Sequence, residues 1–144
     1  MKYHINYDSS TETSFKHTLE PLFRKIVKLL GKTFNMNEKT FFETTFVDEK
    51  KINELNKKYR GIDKPTDVLS FGLNNEYLLG EIYICSKIAI ENSKEEKVSA
   101  EYEICLLFVH GFLHLIGMDH ATLREKNTMF STQDYILEKA EIKP

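Results

Sequence analysis

Residues 98–120 read VSAEYEICLLFVHGFLHLIGMDH. Through residue 116 the apolar side chains fall on every side of a helix rather than on one stripe, which predicts a helix buried at the centre of its domain. His110 and His114 lie one turn apart on the same face of that helix. Gly117 can take the left-handed conformation that ends a helix, so the chain can turn back and bring His120 beside the other two histidines.

The three histidines predict a metal site. Three imidazoles without a fourth protein ligand are typical of an open tetrahedral Zn²⁺ site, in which the remaining position is left for water. Burying two imidazoles on an apolar helix costs free energy unless each is paired or ligated, which favours a metal over ordinary core histidines. We therefore expect one Zn²⁺ per chain at His110, His114 and His120, although imidazole also suits Ni, Cu and Fe.

The rest of the chain predicts strands and helices that mix without strict alternation. Strands are expected at residues 2–7, 40–47, 68–71 and 79–85. Helices are expected from about residue 19 to a Gly31 terminus, over 48–59, over 86–92 with Ser86 as cap, over 98–116, and after a Thr122–Glu125 capping box. Loops are expected at residues 9–13 and 93–97, with a turn at Asn74–Asn75. The prediction is one α+β domain over residues 1–144, with a mixed sheet of about four strands, about five helices, and the metal site on the buried central helix.

The composition narrows the class of protein. With 144 residues, 41% of them hydrophobic and 29% charged, the chain is long enough for one core and is not typical of a disordered protein. The apolar runs are too short for a membrane span, and the N-terminus lacks a signal peptide. Two cysteines in apolar surroundings, Cys85 and Cys105, are expected to be buried free thiols. These features predict a soluble cytoplasmic protein without a membrane partner.

The charge distribution gives no global attraction to nucleic acid, since the formal net charge is −2. Residues 50–64 nevertheless carry six basic side chains against two acidic ones, and Lys57 and Lys58 belong to this run. Such a run predicts either a local basic surface that contacts RNA or an ordinary solvated helix face.

The spacing H-x₃-H-x₂-G-x₂-H matches that of the metzincin peptidases, H-E-x-x-H-x-x-G-x-x-H, except at one position. Where those enzymes carry the glutamate that serves as general base, this chain has Gly111. A zinc peptidase needs that carboxylate to accept a proton from water. A zinc peptidase is therefore the alternative interpretation of the motif. Met129 follows the third histidine but is more typical of a core residue than of a Met-turn.

Three blocks of sequence resemble the YbeY endoribonucleases, bacterial proteins of ribosomal RNA maturation. Residues 110–120 match the family pattern H-G-x-L-H-L-x-G-x-D-H at every specified position. Residues 55–71, LNKKYRGIDKPTDVLSF, match L-N-x-x-Y-R-x-x-D-x-x-T-D-V-L-S-F. Residues 79–85, LGEIYIC, form the third block, in which Glu81 replaces the usual aspartate by a longer carboxylate.

The resemblance implies zinc ligands at His110, His114 and His120 and a functionally important arginine at Arg60. It also implies single-stranded ribosomal RNA as substrate, the 3′ end of the small-subunit RNA as target, and the small ribosomal subunit and an assembly GTPase as partners. The planar guanidinium of Arg60 suits a phosphate, and its alternative role is a surface salt bridge with Asp63 or Asp67.

The base in catalysis is left open by the sequence. Asp119, next to the third histidine, is a candidate for proton transfer or for orienting a ligand imidazole, and its alternative role is to stabilise a turn. Thr66, Asp67 and Ser70 are candidates for substrate binding in the cleft or for capping the turn into the strand at 68–71.

Three functions are thus compatible with the residues. The leading one is a zinc-dependent, single-strand-specific endoribonuclease in ribosomal RNA maturation and ribosome quality control. The alternatives are a metzincin-like zinc peptidase without the usual glutamate and a non-catalytic ribosome-assembly factor with structural zinc.

Overall fold

The computed structural model describes residues 1–73 and 75–144, without the side chain of Ser14, and this part of the chain holds four strands and six helices. In chain order they are β1 (Lys2–Asn6), α1 (Ser9–Ser14), α2 (Lys16–Thr33), β2 (Phe41–Val47), α3 (Glu49–Arg60), β3 (Val68–Gly72), β4 (Leu78–Cys85), α4 (Ser86–Glu96), α5 (Ala100–Leu115) and α6 (Leu123–Lys139). The strands form one sheet in the order β1-β2-β4-β3, in which β3 alone is antiparallel to its neighbour. The predicted α+β class with one mixed sheet is confirmed.

The central helix is α5, as its apolar sequence predicts. Its Phe108 packs against Phe23 of α2, with ring centroids 4.4 Å apart, and against Phe42 of β2 at 5.7 Å. Helices α2, α4 and α6 pack on its other sides. The larger core of the protein therefore surrounds α5 and lies on one face of the sheet.

The other face of the sheet carries a second, smaller core under α3. Ile52 and Leu55 of α3 pack with Leu69 of β3 and Cys85 of β4. Successive residues of a strand point to opposite faces of the sheet. Strand β3 therefore presents Leu69 to α3 and Ser70 to α5, so the two helices lie on opposite faces.

Gly111 is the point of closest approach between α5 and the sheet. A Cβ atom at this position would lie 2.7 Å from Cγ2 of the buried Ile82 and 3.1 Å from Oγ of Ser70. The hydroxyl of Ser70 donates a hydrogen bond of 3.1 Å to the carbonyl oxygen of Gly111. Position 111 therefore faces the sheet, and the glycine is required by packing.

Several local predictions need correction. Residues 9–13, expected as a loop, form most of α1, which begins because the Asp8 carboxylate accepts from the Thr11 amide. Helix α2 passes through Gly31 and ends at Thr33, because the buried Leu30 continues its apolar stripe. Helix α4 continues to Glu96 rather than ending near residue 92. Ser86, which was expected to cap this helix, is instead its first residue. Cys85 occupies the cap position and forms no side-chain hydrogen bond there.

Other local predictions hold. Helix α3, expected over residues 48–59, ends at Arg60, where Gly61 takes a φ of 71°, and the Thr122–Glu125 capping box begins α6. Asn74 of the expected turn at 74–75 lies outside the described residues. Cys85 and Cys105 are buried free thiols, as predicted. Within the described ranges no single helix has the length and apolar character to cross a bilayer, and one pair, α4 and α5, reaches them together but is bent by 116°.

Substituting Gly111 by alanine is expected to destabilise the protein. The added methyl overpacks the α5–sheet contact, at a cost of about 1–3 kcal/mol, of which the better helix propensity of alanine offsets up to ~1 kcal/mol. Urea denaturation would measure the change in the free energy of unfolding.

The matched control is Gly31→Ala in α2. A Cβ at Gly31 meets only the Cβ of Met1 at 3.9 Å, an ordinary contact. This variant is expected to gain roughly 0.5–1 kcal/mol from helix propensity. Equal effects of the two substitutions would contradict the packing role of Gly111.

Candidate metal centre

The three histidines predicted as ligands come together. Their ligand nitrogens all lie within 4.8 Å of one another. Nε2 of His110 and Nε2 of His114 are 3.1 Å apart. Gly117 has a φ of 96°, and its amide and that of Met118 bond back to the end of α5, so the chain reverses and brings His120 to the pair. The predicted geometry of the turn is therefore confirmed.

The cluster fits a small cation. Two imidazole nitrogens bound to one tetrahedral Zn²⁺ are about 3.3 Å apart for Zn–N bonds of ~2.0 Å. The observed separation of His110 and His114 is close to that value. His110 and His114 are partly buried, whereas His120 is exposed, so the cluster is open on one side. No cysteine or carboxylate among the described residues joins the group of ligand atoms, which leaves a three-imidazole site.

Gln133 of α6 fixes the orientation of His110. Its Oε1 lies 2.6 Å from Nδ1 of His110. An amide oxygen only accepts, so Nδ1 carries the proton and donates, which leaves the lone pair on Nε2, the atom that faces His114. A hydrogen bond of this kind holds a ligand imidazole in the tautomer and rotamer that a metal requires.

The electrostatic environment of the two helical histidines disfavours their protonated forms. Burial lowers the pKa of His110, and the nearby His120 lowers it further, although the bond to Gln133 opposes the shift. Burial also lowers the pKa of His114, together with His110 and His120. Metal binding requires deprotonated imidazoles, so these shifts prepare the site for a cation.

Arg60 is the last residue of α3 and is exposed. Within the described residues no hydrogen bond or salt bridge ties it to the histidines. Its alternative partners are engaged elsewhere: Asp63 pairs with Lys57 at 3.8 Å and accepts from Asn53, and Asp67 accepts from Asn92. The guanidinium is therefore available to a ligand.

The neighbouring basic side chains are also at the surface. Lys57 is exposed, and its pair with Asp63 is exposed as well. The ammonium of Lys58 lies 5.1 Å from the ring centroid of Tyr59, which is 57% exposed. The end of α3 thus presents cations beside an accessible aromatic ring.

The other predicted site residues have distinct positions. Asp67 lines a cavity beside His110, and the Thr66 hydroxyl donates to the Asp67 carboxylate at 3.3 Å. Ser70 is engaged with the carbonyl of Gly111 in the packing of α5. Asp119 is exposed, and its Oδ1 accepts from the backbone amide of His120 at 2.7 Å, so it stabilises the turn that carries the third histidine.

Two residues near the histidines were missed in the sequence. Gln133 falls at helical spacing between Met129 and Leu137, both buried, and a polar residue in such a stripe was a usable signal. Glu103 lies seven residues, or about two turns, before His110 on the same face of α5. Its burial, at 7% exposure, was not evident from the sequence.

The fold and the site define a class: an α+β protein whose buried central helix and following turn carry an open cluster of three histidines that fits a metal ion. A family model described as Endoribonuclease YbeY matches residues 4–141. The chain belongs to the YbeY endoribonuclease family, whose name denotes RNA-cleaving hydrolases.

Individual relatives agree with this assignment. An endoribonuclease YbeY of Ureaplasma parvum serovar 3 is 43% identical, with 83% of this chain and 80% of that protein covered. One from Acholeplasma laidlawii is 39% identical over 99% of this chain and 98% of that protein. The solution structure of TM1509 from Thermotoga maritima is 33% identical, with a TM-score of 0.70 over 97% of this chain and 89% of that one.

Removing the acceptor on Gln133 is expected to weaken metal binding. Gln133→Met keeps a similar volume but leaves the His110 ring without its partner, so Zn²⁺ affinity should fall roughly 10–100-fold. Competition with a chelator of known affinity would measure the change. The matched control is Gln133→Glu, which retains an acceptor oxygen and should bind Zn²⁺ at least as tightly as wild type. Equal affinity of the two variants would contradict the role of Gln133.

The metal-free protein is expected to lose stability in mildly acidic solution. The unfolded chain protonates its histidines near pH 6.5, whereas the folded protein, in which the pKa of His110 and His114 is lowered, protonates them only at lower pH. Below about pH 6.5 the unfolded state therefore binds more protons than the folded state, so the free energy of unfolding decreases as the pH is lowered. Urea titrations in chelator between about pH 7.5 and 5.5 would measure it.

The control for this pH dependence is the double variant His110→Gln, His114→Gln. Other groups titrate in both proteins, including Glu103, whose raised pKa acts in the opposite direction. The difference between wild type and variant isolates the two histidines. A difference that is independent of pH would contradict the prediction.

Proposed function

We propose that the protein is a zinc-dependent, single-strand-specific endoribonuclease that acts in ribosomal RNA maturation, at the 3′ end of the small-subunit RNA, and in ribosome quality control. The observation that carries the proposal is the open cluster of His110, His114 and His120 in a chain of the YbeY family. The small ribosomal subunit and an assembly GTPase are the proposed partners, and the cytoplasm the proposed location.

The three imidazoles would hold the metal. When bound, Zn²⁺ would supply a Lewis acid that polarises a phosphate oxygen and lowers the pKa of a water molecule. Gln133 orients His110 for this task, and the exposed side at His120 admits the substrate. Asp119, adjacent to His120, is our candidate for proton transfer, since only one of its carboxylate oxygens has a partner in the described residues.

Arg60 would bind an RNA phosphate. Its guanidinium offers paired donors and stays charged at any working pH. Arg60 and Asp67 are seven residues apart, so at most about 25 Å of chain separates Arg60 from the cavity beside His110. Asn56 pins this connection to α3 by donating to the carbonyl of Lys64 at 2.9 Å. A single strand of a few nucleotides could contact both regions.

The structure argues against the peptidase alternative. In the metzincin pattern the general base occupies the position of Gly111, which here faces Ile82 and Ser70 in the core rather than the histidine cluster. No carboxylate of the described residues contributes a ligand atom to the cluster, and Gly111 has no side chain that could act as the base. An RNA substrate also accounts for Arg60, for which a peptidase has no use.

Cleavage of single-stranded ribosomal RNA tests the proposal. Wild-type protein should cleave it, and chelation or His114→Ala should abolish cleavage because the metal is lost. Arg60→Ala should slow cleavage about 10–100-fold, the value of a charge-assisted phosphate contact, with Arg60→Lys in between. Arg124→Ala, at another exposed arginine, is the matched control and should cleave normally.

Other outcomes would contradict the proposal. Cleavage that survives both chelation and His114→Ala would indicate a contaminating nuclease. A metal whose removal unfolds the protein, without any RNA cleavage by the loaded form, would favour the structural-zinc alternative. Elemental analysis of the purified protein would identify the metal.

A further inference from the structure

A cavity of about 390 Å³ opens beside His110, between α5, α6 and the beginning of β3. Its walls combine apolar and acidic side chains, and they include Asp67, Val68, Tyr102, Glu103, His110 and Phe130. The volume is within the range of small-molecule sites. Because His110 belongs both to this wall and to the metal cluster, a group held in the cavity would lie next to a phosphate at the metal.

Glu103 is the unusual residue of this cavity. Only 7% of the residue is exposed, yet its carboxylate accepts no hydrogen bond from any described residue, and its oxygens reach solvent through the cavity. Asp67 differs, because its two oxygens accept from Thr66 and Asn92. Burial removes part of the water from this carboxylate at a cost in free energy and, together with Asp67, raises the pKa of Glu103. A ligand that supplies donors would relieve this cost.

The walls indicate what kind of ligand would do so. Three acidic residues line the cavity, Asp67, Glu103 and Asp134, and their negative charge disfavours a phosphate there. Flat apolar surface is present in Phe130, which is 42% exposed, and in Val68 and Tyr102. A planar ring with N–H donors on its edge fits both features, and nucleobases are read in this way, by stacking and by bonds to the Watson–Crick edge.

Among the four bases, guanine matches a free carboxylate best. Its Watson–Crick edge places the N1–H and N2–H donors side by side, so both oxygens of one carboxylate can accept from it. Adenine and cytosine offer one exocyclic amine beside an acceptor nitrogen, and the single N–H of uracil lies between two carbonyl oxygens.

We propose that this cavity is a base-recognition pocket, in which Glu103 accepts hydrogen bonds from the Watson–Crick edge of a guanine next to the cleaved phosphate. The inference rests on the proposed endoribonuclease function and deepens it by assigning a sequence preference. Glu103 contacts substrate without joining the metal cluster, and Phe130 supplies the exposed wall on which the base stacks.

Cleavage of a randomised single-stranded RNA pool, followed by sequencing of the products, tests the proposal. Wild-type protein should enrich guanine at one position fixed relative to the cut. Glu103→Gln replaces one acceptor by a donor, so the advantage of guanine over uracil should fall about tenfold to a hundredfold. Glu101→Gln, two residues earlier on α5 and outside the cavity, is the matched control and should keep the preference.

Nucleotide binding separates this inference from the proposed function. In NMR titrations of the zinc-loaded protein, wild type should bind guanosine 5′-monophosphate more tightly than uridine 5′-monophosphate, and Glu103→Gln should lose the difference. The shared phosphate cancels in this comparison. The result stands even if wild type cleaves no RNA, which would overturn the proposed function alone.

Three results would overturn the pocket: cleavage without base preference, a preference that Glu103→Gln retains, or equal binding of the two nucleotides. Mg²⁺ binding that depends on Glu103, without discrimination between nucleotides, would show a cation site instead. If Glu103→Gln fails to fold, Phe130→Ala at the exposed wall replaces it. That variant should weaken binding of the guanine nucleotide about tenfold by loss of stacking, and unchanged binding would overturn the proposal.

Discussion

The close packing of α5 against the sheet at Gly111 is the constraint on which the metal centre depends. Without a side chain at this position, the helix approaches Ile82 and Ser70 and turns one face toward the sheet. One position before and three after Gly111, the side chains of His110 and His114 project about 60–100° around the helix axis from the face that contacts the sheet. The absence of a side chain at Gly111 thus sets the rotation of α5 about its axis, and with it the direction in which His110 and His114 project.

Burial and ligation act on the same atoms. A helix surrounded by core on most sides would ordinarily exclude imidazoles, since they have polar nitrogens to satisfy. Here the Nδ1 of His110 is satisfied by Gln133, and the remaining nitrogens converge with that of His120. Desolvation lowers the pKa of the helical pair, which disfavours protons and leaves the lone pairs for a cation. Burial of these imidazoles therefore costs free energy in the metal-free protein, and the same burial favours binding of a cation.

The metzincin comparison shows how a shared spacing can serve different sites. The interval between the histidines follows from helix geometry and a glycine turn, and any fold that needs three imidazoles on a helix and its following loop can use it. The position after the first histidine depends on what the helix packs against. In this fold it faces a sheet, so glycine is favoured and the metzincin glutamate has no room at this position. The acidic residues that share a cavity wall with His110 are Asp67, Glu103 and Asp134, and this cavity is the proposed binding site of a nucleobase.

Sequence alone was enough to predict the class of fold, the central helix and the cluster of three histidines, because each rests on local periodicity: apolar residues all round α5, histidines four apart, and a glycine that permits the reversal. It also indicated Arg60 through a block of residues around the end of α3. Local signals were weaker at the helix ends, where Gly31 does not end α2 and a run of polar residues continues α4, because tertiary packing there extends each helix.

The contacts that support the histidines join residues that are far apart in the sequence. Gln133 reaches His110 across 23 positions of sequence, and Ser70 reaches Gly111 across 41. Glu103 and Asp67 share a cavity wall although 36 positions separate them in the chain. Contacts of this kind depend on how helices dock on the sheet, a property of the assembled core that no short window of sequence contains.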